Sequence, residues 1–95
     1  MRRFSLSMMV ILAAIAATTP ALAAHGICHS LWVERAAIYK DAGLCFKTAR
    51  AINYFGNAGC RYDDEADVPL SPREIARIEK LFAQERANRC GGSWW

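Results

Sequence analysis

From Leu31 onward the apolar positions Leu31, Trp32, Ala36, Ile38 and Tyr39 recur at three- and four-residue steps. That spacing keeps them on one side of a helix. It predicts an amphipathic helix running from Ser30 to Ala42, with Ser30 as N-cap and Arg35 and Lys40 mostly on the opposite, wet side. Gly43 follows as the residue that ends the helix in a left-handed turn, where a Cβ is costly, and Leu44 tucks back on the last turn. A shorter helix is predicted after Thr48, with Ala51, Ile52 and Phe55 on one face and Gly56 as its stop. Asn57-Ala58-Gly59 reads as a turn, and residues 61–69 as an acidic connector. Ser71-Pro72-Arg73-Glu74 is a capping box with proline at the first helical position. Ile75, Ile78, Leu81 and Phe82 then form the inward stripe of a third helix that stops near Asn88 to Cys90, with Glu85 and Arg89 spaced for an ion pair one turn apart. The expected fold is all-α, with two to three helices around Leu31, Trp32, Tyr39, Phe55, Ile75, Ile78 and Phe82.

The first residues follow a different pattern. Arg2 and Arg3 precede an uncharged apolar run from Met8 to Ala17, and Ala21-Leu22-Ala23 has the small-x-small form of a cleavage site. Residues 1–23 therefore read as a secretory signal peptide and residues 24–95 as one helical domain. The apolar run is shorter than the roughly 20 residues of a spanning helix, so no stable membrane span is expected after cleavage. Removing Arg2 and Arg3 reduces the net charge of +3 and leaves ten basic against nine acidic side chains. Such a balance lacks the concentrated basic patch of a nucleic-acid binder.

A domain this small buries a modest core. Its conformational entropy, about 1.5 kcal/mol per residue, roughly cancels the hydrophobic gain, so covalent staples are expected. Cys28, Cys45, Cys60 and Cys90 make an even count in an exported chain, which reads as two disulfides. Cys45–Cys60 would enclose the short helix and Cys28–Cys90 would close the domain. The other two connectivities stay open on sequence alone.

In order along the chain stand Cys28-x-x-Leu31-Trp32, Arg35, Ile38, Tyr39, Gly43-x-Cys45-Phe46, Tyr54-Phe55, Cys60 and Leu70-Ser71-Pro72-x-Glu74. This series resembles the YARHG domain, a bacterial extracytoplasmic module of similar length. The namesake pentapeptide falls on Tyr39-Lys40-Asp41-Ala42-Gly43, so Tyr39 and Gly43 match while Asp41 and Ala42 replace its Arg and His. The resemblance implies export to the periplasm or beyond, a helical fold and a non-enzymatic role at the cell envelope.

No reaction centre stands out. Glu34, Asp41 and Glu74 are the helix carboxylates available for acid–base work, and a secreted-enzyme alternative requires a cleft holding Glu34 or Asp41. A metal-binding alternative rests on two features. Cleavage after Ala23 would place His25 second in the chain, a Cu(II)-type arrangement. Asp63, Glu65, Asp67 and Glu74 are spaced as in a calcium loop, although Val68 occupies the glycine position. The cysteines lack the close pairs of a zinc site, and neither a metal nor a cofactor is expected. Arg73, Arg77 and Lys80 read as a solvated face. Trp94 and Trp95, after the Gly91-Gly92-Ser93 hinge, either fold back to cap the small core or stand exposed as an aromatic anchor for a partner, a membrane interface or a glycan. Any contact surface, for an envelope protein or a cell-wall component, is expected to include them.

Overall fold

The computed structural model describes residues 20–91, with side chains from Gly26 onward. Residues 1–19 of the expected leader and the Trp94-Trp95 tail lie outside the described residues. The elements in order are α1 (Pro20–Ala42), α2 (Ala49–Phe55), a 3₁₀ turn (Glu65–Asp67) and α3 (Pro72–Ala87). The described residues form no strand, only an isolated parallel bridge between Leu44 and Tyr62.

Helix α1 begins ten residues before Ser30, which is therefore interior and not a cap. The expected lead-in, Ala24 to Cys28, is helical because it contains nothing that stops a helix. Pro20 sits where proline is tolerated, and one glycine at Gly26 costs only about 1 kcal/mol. The cut expected after Ala23 would fall at the end of the first turn and upstream of every core residue.

The other end of α1 closes as its sequence predicts. Gly43 has φ +106°, its N–H donates to Lys40 O, and Leu44 N–H donates to Tyr39 O. Gly43 O then accepts from Arg61 and Tyr62, while Cys45 N–H donates to Tyr62 O. These bonds lie beside the Cys45–Cys60 disulfide, whose residues are 15 apart in sequence. Cys28–Cys90 spans 62 residues and joins α1 to the end of α3. Removing loop entropy from the unfolded chain gives crosslinks of these spans about 3 and 4 kcal/mol respectively.

Helices α1 and α3 run antiparallel, since Cys28 meets Cys90 and, further along α1, Arg35 meets Glu85. The buried cluster takes Trp32, Ala36 and Tyr39 from α1, Leu44 and Phe46 from the link, Ala51 from α2, Val68 from the connector and Ile78 from α3. Phe55 and Phe82 pack against it partly buried, and Leu31 and Leu81 are also buried.

Ile75 departs from the expected core and is 45% exposed. The buried side of α3 is centred on Ile78 and Leu81. At about 100° per residue, Ile75 falls at the edge of that arc in the helix's first turn. Ile52 is likewise turned outward, leaving Ala51 and Phe55 as the inner face of α2. Arg35 moves the opposite way. It lies one turn from both Leu31 and Tyr39, inside the apolar stripe, and is 1% exposed. Glu85 reaches this guanidinium, so the expected Glu85–Arg89 pair does not form. Arg89 lies past the helix end at φ +54°.

Candidate binding face

Helix α2 has only seven residues, so its neighbours must hold it in place. Thr48 caps it by accepting from Ala51 N–H, and Gly56, at φ +73°, ends it with a bond to Ile52 O. Asn57 then clamps the base of the loop. Its Oδ1 accepts from Phe46 N–H at 2.7 Å and its Nδ2 donates to Phe46 O at 2.9 Å. The disulfide closes the same loop. With its orientation thus set, α2 turns Ala51 and Phe55 inward and presents Arg50 and Tyr54, one turn apart, beside α1.

Trp32 of α1 lies where the two helices meet, 2% exposed. The Arg50 guanidinium carbon lies 3.8 Å from the centre of its ring. Tyr54 meets the indole edge-on at 5.6 Å, while Phe55 at 5.7 Å and His29 at 5.8 Å lie tilted against it. His29 and Tyr54 also touch each other edge-on at 5.6 Å. Phe55 carries the aromatic contact inward to Phe46 at 5.4 Å. The result has two layers. A buried ring is anchored in the core, and above it lies a cover of three exposed polar or cationic side chains, His29, Arg50 and Tyr54. The Trp32 Nε1–H is buried and has no hydrogen-bond acceptor.

A second polar group lies further along the same buried side of α1. Arg35 donates from Nε and Nη2 to the two Glu85 oxygens, at 2.9 and 3.2 Å, with its guanidinium 4.3 Å from the Phe82 ring centre. Tyr39 donates to Glu65 Oε2 at 3.4 Å. Burial holds the Tyr39 phenol above its ordinary value of 10.0, the Glu65 charge and hydrogen bond push the same way, and the Arg35 charge pulls it back. These groups join α1 to α3 and to the 3₁₀ turn.

The residues considered for catalysis and metal binding are dispersed. Glu34 pairs on the surface with Arg77, both about half exposed, and Asp41 is exposed. Glu74 completes the Ser71 capping box, with Ser71 N–H donating to its Oε1 and Ser71 Oγ accepting from its N–H. Asp64 caps the 3₁₀ turn, and Glu65 faces Tyr39. Among the described residues no three His, Cys, Asp or Glu side chains converge as a metal site would require. The His25 side chain lies outside the described residues. Trp32 and Tyr39, on one side of α1, are both core residues.

The Trp94-Trp95 tail leaves the described chain just after Cys90, which is bonded to Cys28, the neighbour of His29. The helical period puts Trp32 and Tyr39 on one face of α1 but does not reveal that Trp32 meets Arg50 and Tyr54. The one available signal was the Arg50/Tyr54 spacing of four and the His29/Trp32 spacing of three, each marking one side of a helix.

Compared with family models, residues 7–86 match the YARHG domain. No curated protein and no solved structure matches the chain.

Proposed function

The chain belongs to the YARHG domain family, and from this membership we infer that it is a non-enzymatic binding or accessory module of the bacterial cell envelope. The family is extracytoplasmic, and two closed disulfides with no free cysteine suit an oxidising compartment. On this reading residues 1–23 direct export and are removed, and the stapled domain acts in the periplasm or outside the cell. Among the described residues no helix is long and apolar enough to cross a membrane.

The observation that carries the reading is the exposed cover on Trp32. Tyr54 is 54% exposed although its ring is packed against Trp32, Phe55 and His29. An exposed aromatic residue held rigid from below offers contact area with little further entropy to lose, as at protein-binding hot spots. Trp94 and Trp95, which lie outside the described residues, are included in the proposed contact surface on their sequence alone.

The test is co-sedimentation of the purified, oxidised protein with isolated bacterial membranes and with isolated cell-wall sacculi. Two variants accompany it, Tyr54→Ala and a chain lacking Trp94 and Trp95. Both are expected to retain the disulfides and the melting transition and to lose association. Association at the parent level by either variant would refute the assigned surface, and absence of association by the parent would refute the envelope-binding role.

A further inference from the structure

We propose that the His29–Arg50–Tyr54 cover on Trp32 is a binding site for a peptide's free C-terminal carboxylate. The proposal rests on the binding-module reading and names the chemistry that its face recognises.

The first argument is the geometry of Arg50. A guanidinium 3.8 Å from an indole centre has one of its faces occupied by the ring. Its N–H edge is left for a partner, and that edge matches a carboxylate with two parallel hydrogen bonds. Among the described residues Arg50 has neither an ion pair nor a hydrogen-bonded acceptor. The carboxylates in salt bridges are committed elsewhere, Glu85 to Arg35 and Glu34 to Arg77.

The second argument is a mismatch of donors and acceptors. Tyr54 and His29 pack on the same Trp32 indole that the guanidinium covers, and each supplies an N–H or O–H. The Trp32 Nε1–H, on the ring that Arg50 covers, is buried and unanswered. No acidic side chain belongs to the cluster, and α2 has none in its sequence, while exposed Lys47 lies just ahead of it. The surface is rich in donors, positively charged and lacking an anionic acceptor, so its complement is an oxyanion.

The third argument selects among oxyanions. The exposed His29 and Tyr54 rings meet at 5.6 Å and both touch the Trp32 indole, so aromatic surface is gathered around the ring that Arg50 covers. A carboxylate attached to an apolar residue engages both the edge and the rings. Inorganic phosphate engages the edge alone. The C-terminal residue of a peptide combines a planar carboxylate with an adjacent side chain, which fits this arrangement.

The experiment follows the ¹⁵N-labelled oxidised full domain by NMR during titration with N-acetyl-Ala-Leu, with the same dipeptide as its C-terminal amide, and with inorganic phosphate. The acid is expected to give saturable shifts at Arg50 Nε–H, His29, Tyr54 and Trp32 Nε1–H. The amide is expected to give none, and phosphate to bind at least tenfold more weakly than the acid. Arg50→Gln should weaken binding of the acid at least tenfold with the melting transition unchanged. Arg50→Lys, which keeps the charge but loses the planar edge, should also weaken it. Equal binding of amide and acid, equal binding of phosphate and acid, or full binding by Arg50→Gln would each overturn the proposal. If the parent sediments with envelopes but ignores the dipeptide acid, the carboxylate site fails and the binding module stands. If it binds the acid but not envelopes, the envelope role fails alone.

Discussion

Replacing Glu85 by Gln removes the negative charge from beside a buried guanidinium while keeping the shape of the side chain. In the native protein Arg35 is 1% exposed and Glu85 12% exposed, with two hydrogen bonds between them. Taking an arginine out of water is expensive, and this carboxylate offsets that cost. Removing one partner of a buried ion pair typically costs about 3–5 kcal/mol. The low end, about 3 kcal/mol, is expected here, because the Gln carbonyl still accepts one bond and Glu85 is slightly solvated. For a domain of this size that corresponds to a fall in Tm of roughly 12–24 °C.

The assay is urea unfolding of the oxidised protein, with Glu34→Gln as the control. Glu34 and Arg77 also form an ion pair, but both side chains are about half exposed, so its loss should cost only about 0–1 kcal/mol. A third variant, Arg35→Met with Glu85→Leu, removes both charges and should recover most of the loss, since apolar replacement of buried pairs is often neutral or stabilising. The reasoning is refuted if Glu85→Gln costs no more than Glu34→Gln. It is also refuted if the double replacement is as unstable as the single one, because burial of an uncompensated charge would then not be the cause.

Two further expectations concern the ends of the same helix-turn unit. Because the folded Tyr39 phenol ionises above its ordinary 10.0, the stability that it contributes is fully present below pH 10.0 and is lost as pH rises through the folded value. The stability difference between the parent and Tyr39→Phe, about 0.5–1.5 kcal/mol near neutrality for one hydrogen bond, should therefore shrink above pH 10.0, and a constant or growing difference in urea unfolding would contradict this. Gly43→Ala should lose about 1–3 kcal/mol through its positive φ and a Cβ only 3.1 Å from the Tyr62 ring. Gly56→Ala, with positive φ but open space around it, should lose less, and a reversed order in denaturation midpoints would show that the Tyr62 contact is not what matters.

Signals that act within a few residues were legible in the sequence. The Ser71 box, the Thr48 cap and the Gly43 and Gly56 stops each depend on local backbone geometry, and the structure forms all four. The all-α class was legible for the same reason. Errors arose where a distant partner decides the outcome. Arg35 reads as a surface charge until Glu85, fifty positions away, is known to face it. Ile75 satisfies the helical period yet lies at the edge of the contact that α3 makes. The start of α1 was missed because a plausible cap at Ser30 hides the fact that nothing before it breaks the helix. The Trp32 face was half legible. Both pairs of residues lie on single helix sides, but their meeting depends on the angle at which the closed Cys45–Cys60 loop sets α2 against α1.

The divergence from the namesake pentapeptide has a physical explanation in this arrangement. The two retained positions do work that the fold requires. Tyr39 is buried and ties α1 to the 3₁₀ turn through Glu65, and Gly43 provides a backbone turn and a close approach to Tyr62. Asp41, where the pentapeptide has Arg, is exposed on the last turn of α1, and partly buried Ala42 needs only a small apolar group against the core. Substitution at Asp41 therefore costs little stability, because neither a buried contact nor a special backbone angle depends on it. A domain can keep this turn while changing the chemistry displayed beside it. On the proposed binding reading, specificity in this chain is therefore to be sought at the exposed His29, Arg50 and Tyr54 side chains around Trp32, which lie outside the motif from which the family takes its name.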